Sequence, residues 1–199
     1  MVLPPELTYR PGVFDAAASA AHIAGLIAEL AWEAQRFTIY GRTMPMPRLI
    51  AMYGPAGYRY SGVVHPPQPL APRLETIRTV VEQATGLRFN AVLANLYRDG
   101  RDSVGWHRDD DYVHGGQAAI ASVSFGAVRR FELREAAGAP AIAVDLEPGS
   151  LLLMHAGAVQ RFAHRVPKTT AVVGPRVNLT FRHMLPRGTG PSPAPRRRA

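Results

Sequence analysis

Residues 175–183 read PRVNLTFRH, and this stretch decides the fold class because its polar and apolar side chains alternate. In a β-strand successive side chains point to opposite faces, so alternation predicts a strand with two unlike faces. The polar face would carry Arg176, Asn178, Thr180 and Arg182, and the apolar face Val177, Leu179 and Phe181. The stretch is therefore predicted to be a strand with one face in an apolar core.

The polar face of this strand has two interpretations. It could simply be solvated. Alternatively, the two arginines, fixed at separate points on one face, could hold a small dicarboxylate at both ends. A charge-assisted hydrogen bond shielded from water contributes on the order of 1.5–3 kcal/mol. The run NAVLANLY supplies neutral donors of matching spacing, because Asn95 and Tyr97 also lie two residues apart.

The chain after Gly86 is a series of similar short runs separated by turn residues. They are FNAVLANLY, AAIASVSFG, RRFELRE, AIAVDLEPGSLLLMH, RFAHRVP and RVNLTFRHML. Strands at this spacing without interleaved helices predict a mainly β fold, either a barrel or a jelly roll.

Two helices are predicted upstream of these runs. The first covers residues 14–35, with Asp15 as its cap and a stripe of apolar residues at three- and four-residue steps: Ile23, Leu26, Ile27, Leu30 and Ala34. The second runs from about Pro72 to Thr85 and stops at Gly86. The Pro/Gly/Tyr-rich segment 40–72 lies between them, and RFTIYGRTM and GYRYSGVV are predicted to be short strands.

The composition limits the chemistry. The chain has 199 residues, enough for one domain with a substantial core, and it has no cysteine. Disulfides, iron–sulfur clusters, thiolate-bound zinc and cysteine nucleophiles are thereby excluded, so a metal would need histidine and carboxylate ligands. The first residues show no secretory signal, and the apolar run 16–31 is too short to span a membrane. We expect a cytoplasmic protein with no membrane partner.

The formal net charge is +8, and its distribution is uneven. The tail 186–199 contains four arginines and no acidic residue, and Lys168 is the only lysine of the chain. Abundant arginine has a compositional explanation, because alanine and proline are also abundant. It equally suits phosphate binding by the guanidinium fork. The charge permits a polyanionic partner without identifying one.

One histidine stands beside three consecutive aspartates in VGWHRDDDYV, residues 104–113. The pair His107 and Asp109 forms two thirds of the two-histidine, one-carboxylate set that binds Fe(II) and leaves coordination positions open. The run could instead be a polar turn, and the pair needs a distant histidine. His155, His164 and His183 all follow late β-rich runs, and spacing does not choose among them.

With these residues assembled, the chain resembles the AlkB family of Fe(II)- and 2-oxoglutarate-dependent dioxygenases, nearest to the branch that repairs duplex DNA. The resemblance extends from Phe37 to Met184 and rests on six motifs in order: NLYRDG, WHRDDD, ASVSFGAVRRFELR, LLLMH, HRVPK and RVNLTFR. It implies a double-stranded β-helix, or jelly roll. The catalytic domain would cover residues 1–185, with N-terminal helices and a nucleotide-recognition lid in 1–87 and the jelly-roll core in 88–185. Residues 186–199 would be a disordered basic tail.

The resemblance also implies ligand sets. The histidine before RVPK is His164, so the Fe(II) ligands would be His107, Asp109 and His164. The remaining set would bind 2-oxoglutarate: Arg176, Asn178 and Tyr97 at its distal carboxylate, Arg182 and Asn95 at the end that chelates iron, and Thr180 within the same motif. The cofactors would be Fe(II), 2-oxoglutarate and O2.

Substrate contacts are implied for residues in and around the lid. Tyr60 in GYRYSG would stack on a flipped base, and Asp110 and Asp111 would contact the base edge, where an acid favours a cationic methylated base. Tyr40 with Ile39 would fill the gap left by the base, and Arg48 would lie near the lesion. The alternatives are a solvated turn for the two aspartates and a tyrosine packed in a lid hairpin for Tyr40.

The function that the resemblance implies is oxidative demethylation of 1-methyladenine and 3-methylcytosine in DNA, with release of formaldehyde, succinate and CO2; RNA stays open as a further substrate. The alternatives are a related dioxygenase acting on tRNA, protein or a small molecule, a lesion-binding protein without turnover, and a metal protein that does not use 2-oxoglutarate. We expect the chain to act as a monomer on nucleic acid.

Overall fold

Two antiparallel sheets form the body of the protein. The computed structural model describes residues 3–39, 41–55, 58–60, 63–109 and 119–184. Its strands are β1 (Leu7–Arg10), β2 (Arg36–Ile39), β3 (Arg42–Pro45), β4 (Leu49–Tyr53), β5 (Tyr58–Tyr60), β6 (Val63–His65), β7 (Ala91–Tyr97), β8 (Val104–His107), β9 (Ile120–Gly126), β10 (Arg129–Arg134), β11 (Ile142–Leu146), β12 (Ser150–Met154), β13 (Ala163–Val166) and β14 (Arg176–Arg182). The helices are α1 (Ala16–Glu29), α2 (Pro72–Thr85) and α3 (Ala156–Arg161).

The larger sheet has six strands in the order β1-β12-β9-β14-β7-β4, and the smaller has four in the order β11-β10-β13-β8. The pairs β2–β3 and β5–β6 are separate hairpins. Every named strand pairing is antiparallel. The fold is mainly β and has the jelly-roll arrangement that was predicted. The N-terminal part of the chain contributes β1 and β4 as the two outer strands of the larger sheet.

Strand β14 has the two unlike faces that the alternation predicted. Val177, Leu179 and Phe181 are fully buried in an apolar cluster that also contains residues of α1 and α2. The helices therefore cover one face of the six-stranded sheet. The polar residues of β14 are buried as well, with exposed fractions between 1% and 8%. This result rules out the solvated interpretation of the polar face.

Helix α2 has the predicted bounds, and Gly86 ends it in the left-handed conformation with φ 72°. Helix α1 is shorter than predicted, because it ends at Glu29 rather than near residue 35. The indole N–H of Trp32 lies 3.2 Å from the carbonyl oxygens of Leu26 and Ile27. In a longer helix the Ile27 carbonyl would accept the Ala31 amide, which donates instead to the Tyr53 hydroxyl at 3.1 Å. Asp15 caps the helix as predicted, accepting from the Ala18 amide at 2.7 Å.

Gly149 joins the larger sheet to the start of α1. Its φ is 76°, its N–H donates to the Ser124 carbonyl at 2.7 Å, and its carbonyl accepts from the Phe14 amide at 3.0 Å. A Cβ at this position would collide with the carbonyl oxygen of Phe14 and lie 2.6 Å from Ser19 Oγ. Gly12 also has a positive φ of 66°, but a Cβ there would meet nothing within 4 Å.

We expect Gly149→Ala to lower the free energy of unfolding by roughly 2–4 kcal/mol, since backbone strain and overpacking add. Gly12→Ala is the matched control and is expected to cost only about 1 kcal/mol, the strain alone. Urea midpoints at unchanged m-value measure both. Equal losses at the two glycines would contradict the close approach at Gly149.

Among the described residues, no helix combines the length and the apolar character needed to cross a bilayer.

Candidate metal and cosubstrate site

The two sheets enclose a cavity of about 570 Å³, a volume that includes the open space at its mouth. The polar face of β14 forms one wall, together with Asn95 and Tyr97 of β7. The smaller sheet contributes His107 and His164 to the opposite wall. Asp109, just after β8, completes a polar surface inside an otherwise apolar cavity.

The cavity brings together the predicted metal ligands. One ligand atom from each of His107, Asp109 and His164 can be chosen so that all three atoms lie within 4.8 Å of one another. The Asp109 carboxylate oxygens lie 3.7 Å from His107 Nε2 and 3.8 Å from His164 Nε2. No other group of three potential ligands this close occurs in the described part of the chain. Two imidazoles and one carboxylate of this kind fit Fe(II).

The pairing of β8 with β13 explains how the distant histidine is selected. His164 lies directly opposite His107, and Val166 lies opposite Val104, so the register shifts by one residue between the two pairs. Val104 and His107 both line the cavity although they are three residues apart, an odd spacing that a regular strand would send to opposite faces. The extra residue is a β-bulge, which turns His107 inward.

The charges at the triad favour metal binding. Burial would raise the pKa of Asp109, but Arg182, His164 and His107 outweigh it and hold that pKa well below its ordinary value. Burial lowers the pKa of His164 to about 4 against the pull of Asp109, so at neutral pH this imidazole is neutral and can donate its lone pair. His107 Nδ1 lies 2.9 Å from the Gly105 carbonyl, which leaves Nε2 for a metal.

Arg182 contacts the triad directly. Its Nη2 donates to Asp109 Oδ2 at 2.8 Å, and both side chains are about 6–7% exposed. The bond fixes the orientation of the carboxylate that faces both histidines. Arg182 was predicted to steady the metal-chelating end of 2-oxoglutarate, and in the structure it lies beside the His107–Asp109–His164 triad.

Arg176 occupies another part of the same wall and is 1% exposed. Its Nη2 donates to Ser124 Oγ at 2.9 Å, while its buried Nε and Nη1 have no hydrogen-bond partner among the described residues. Burial lowers the pKa of this guanidinium. Tyr97 lies opposite Arg176 in the β7–β14 pairing, and the guanidinium carbon is 5.1 Å from the centre of its ring. A buried arginine with two unused donors beside a phenol fits a carboxylate ligand.

Asn178 and Thr180 have protein partners in the cavity wall. The Asn178 amide donates to Ser122 Oγ at 2.8 Å and to the Val123 carbonyl at 3.1 Å, and its oxygen accepts from Thr180 Oγ1 at 3.1 Å. Thr180 therefore orients Asn178. Ser122 and Ser124 were not predicted, although their two-residue spacing in ASVSFG is the signal that could have identified them.

The predicted substrate residues are only partly described. Arg48 is 5% exposed in the cavity wall, where its Nε donates to Asn95 Oδ1 at 2.8 Å and its Nη1 lies 3.4 Å from the Ser103 carbonyl. Ile39 ends β2 and Tyr60 ends β5. The side chains of these two residues, all of Tyr40, Asp110 and Asp111, and the tail 186–199 lie outside the described part of the structure.

His155, one of the three histidines that spacing did not separate, is exposed and precedes α3. Its Nε2 lies 3.2 Å from Thr8 Oγ1, and it does not line the cavity. The structure therefore separates His155 from the triad.

Comparison with known proteins agrees with this geometry. Residues 6–182 match the family model described as the 2OG-Fe(II) oxygenase superfamily. The solved structure of OsALKBH1 superimposes with a TM-score of 0.68 at 19% identity, covering 92% of this chain and 100% of that one, which supports the fold.

Curated relatives share more of the sequence. The chain is 42% identical over 164 residues to the mouse (Mus musculus) alpha-ketoglutarate-dependent dioxygenase alkB homolog 3, covering 77% of this chain and 56% of the relative. The human (Homo sapiens) alkB homolog 3 is 38% identical, with 88% and 65% covered. The mouse DNA oxidative demethylase ALKBH2 is 40% identical, with 79% and 73% covered. The chain thus spans about half to two thirds of the length of most of these relatives.

The matched region contains the triad, the buried arginines and the strands that hold them, so the chain belongs to the 2OG-Fe(II) oxygenase superfamily and, within it, to the AlkB family.

Proposed function

We propose that this protein is an Fe(II)- and 2-oxoglutarate-dependent dioxygenase that demethylates bases in nucleic acid, with 1-methyladenine and 3-methylcytosine in DNA as its substrates. One observation carries the proposal: the His107–Asp109–His164 triad opens into the same cavity as a buried arginine with two unused donors. The relatives named DNA oxidative demethylase support the choice of substrate.

When bound, Fe(II), O2 and 2-oxoglutarate would supply the oxidising power, with succinate and CO2 as co-products, and the N-methyl carbon of the base would gain a hydroxyl group. The resulting N-hydroxymethyl group then leaves as formaldehyde and restores the base. The contribution of the protein is to hold the metal, the cosubstrate and the base in the positions that the reaction requires.

The side chains of the cavity divide this placement between them. His107, Asp109 and His164 would hold Fe(II), and Arg182 would keep the Asp109 carboxylate aimed at the metal. Arg176 with Tyr97 would bind the distal carboxylate of 2-oxoglutarate. The apolar lining, which includes Leu93, Ile120, Phe131, Met154 and Val166, would exclude water from the reacting groups.

The substrate side of the proposal rests mainly on the sequence. Tyr60 would stack on the flipped base, and Asp110 and Asp111 would favour its positive charge, with Tyr40 and Ile39 in the vacated stack. Arg48 would connect the base to the cosubstrate, because it already donates to Asn95 in the cavity wall. Extrusion costs less for a lesion that cannot pair, so damaged bases are favoured.

The test uses protein loaded anaerobically with Fe(II) and oligonucleotides that contain 1-methyladenine or 3-methylcytosine, single-stranded and duplex, with and without 2-oxoglutarate. Formaldehyde and succinate are expected in equal amounts, and only when O2 and 2-oxoglutarate are both present. His164→Ala protein is the matched control. Lesion binding without either product would support the silent lesion-binding protein instead. Succinate formed equally with and without the lesion would show turnover that is not coupled to the base, and would count against these lesions as the substrate.

A further inference from the structure

Arg129 is a buried arginine outside the cavity wall. It is the first residue of β10 and is 3% exposed. Its Nη1 donates to the Asp99 carbonyl at 3.0 Å, and its Nη2 donates to the carbonyls of Asp102 and Pro167 at 2.8 and 2.7 Å. One guanidinium thereby ties β10 to the loop between β7 and β8 and to the segment after β13. The Asp102 carboxylate itself is engaged by Arg98.

The same guanidinium packs against the tyrosine of the cavity. The Arg129 guanidinium carbon is 5.6 Å from the centre of the Tyr97 ring, and that of Arg176 is 5.1 Å away. Tyr97 is 3% exposed and lines the cavity together with Arg176, whereas Arg129 does not line it. Arg129 can therefore affect a ligand in the cavity only by holding Tyr97 and through its own charge.

The charges of Arg129 and Arg176 also favour an anion in this part of the cavity. Burial is the main reason that the pKa values of both guanidinium groups are lowered, and the charge of Arg129 adds to the lowering at Arg176. Two buried like charges repel each other, and an anion between or beside them relieves the repulsion. All three acceptors that the described structure gives Arg129 are neutral carbonyls. The Asp102 and Asp99 carboxylates oppose the effect of burial on the pKa of Arg129, but burial outweighs them.

We propose that Arg129 is a positioning residue for the distal carboxylate of 2-oxoglutarate, because it fixes Tyr97 and places a second positive charge behind Arg176. This inference rests on the proposed function, since it assumes that the cavity binds 2-oxoglutarate. It also explains the choice of arginine, because a lysine ammonium would keep the charge but not the planar fork that reaches three carbonyls.

The test compares two ligands on full-length protein loaded with Mn(II), which does not turn over, by titration calorimetry. One ligand is 2-oxoglutarate. The other is 2-oxopentanoate, which has the same carbon chain and metal-chelating end but lacks the distal carboxylate. The variants are Arg129→Gln and Arg129→Lys. Arg130→Gln is the matched control, because Arg130 is exposed on the same strand and pairs only weakly with Asp145 at 3.4 Å.

Arg129→Gln is expected to weaken 2-oxoglutarate binding roughly tenfold, a typical effect of one charge acting through the protein interior, and Arg129→Lys about threefold. The affinities for 2-oxopentanoate and for Mn(II) should change less than about twofold. A general loosening of the fold would instead weaken the binding of both. Arg130→Gln should match the wild type for both ligands.

Equal losses for the two ligands, or no loss for 2-oxoglutarate, would overturn the role of Arg129. If Arg129→Gln does not fold, the ratio of the two affinities in Arg129→Lys decides, and a wild-type ratio counts against the inference. Failure of the wild-type protein to bind 2-oxoglutarate is a separate result, because it would overturn the proposed function itself.

Discussion

Alanine in place of His164 is expected to remove both bound Fe(II) and all turnover, while alanine in place of His155 should leave both intact. His164 is 5% exposed and faces Asp109 and His107, whereas His155 is exposed and contacts Thr8. Loss of a residue that merely supports a metal ligand typically costs 10- to 100-fold in affinity, so loss of a ligand should cost at least about 100-fold.

The measurements are metal content after anaerobic loading and dialysis, the Mn(II) dissociation constant, and formaldehyde release. Thermal unfolding of the metal-free proteins is the control for folding. The buried imidazole ring of His164 also contributes to the core, because its centre lies 5.3 Å from the centre of the Phe131 ring. Retention of metal by His164→Ala together with its loss from His155→Ala would show that the ligand assignment is wrong.

Methionine in place of Arg176 is expected to stabilise the ligand-free protein and to prevent binding of 2-oxoglutarate. Arg176 is 1% exposed, and its Nε and Nη1 have no hydrogen-bond partner among the described residues. Its burial therefore costs free energy until a carboxylate binds. Replacing a whole buried ion pair by apolar residues of similar size is often neutral or stabilising by about 1–4 kcal/mol. Arg176 has no carboxylate partner among the described residues, so its removal leaves no buried charge unpaired, and we expect a gain of roughly 1–3 kcal/mol.

The same substitution removes the fork that would bind the distal carboxylate. Two charge-assisted hydrogen bonds at about 1.5–3 kcal/mol each correspond to a loss of at least roughly 100-fold in affinity. Thermal unfolding with and without 2-oxoglutarate reads both effects, because a bound ligand raises the midpoint of the wild type and should not move that of the variant. A variant that is less stable without ligand yet still gains from 2-oxoglutarate would contradict the assignment. Arg130→Met is the control at an exposed arginine, which lies on β10 of the smaller sheet.

The sequence predicted correctly those strands and helices whose limits depend on neighbouring residues. The alternation in PRVNLTFRH is confirmed by β14, and Pro72 and Gly86 bound α2 where the turn chemistry predicted. The predicted end of α1 was wrong because the side chain of Trp32, which lies outside the helix, donates to the carbonyls of Leu26 and Ile27 near its end. The periodicity of apolar residues in the sequence does not reveal such a hydrogen-bond partner.

In the site, too, local features were predictable from the sequence and long-range contacts were not. The proximity of His107 and Asp109 follows from their positions two residues apart, but the choice of His164 depends on the β8–β13 register. At the level of sequence only the family resemblance identified His164. No local pattern indicated Arg129, since its acceptors Asp99, Asp102 and Pro167 lie 27 to 38 residues away along the chain. Contacts of this range depend on sheet topology.

The bulge in β8 has a consequence for how chain length can vary in this protein. His107 faces His164 only because one additional residue separates it from Val104 along the strand. Removing or adding one residue there would turn the imidazole to the outer surface, whatever residue types remained. We expect insertions in loops away from Asp109 to leave the metal ligands in place. A change of length in β8 would displace His107 even if the other residues of the strand were substituted conservatively.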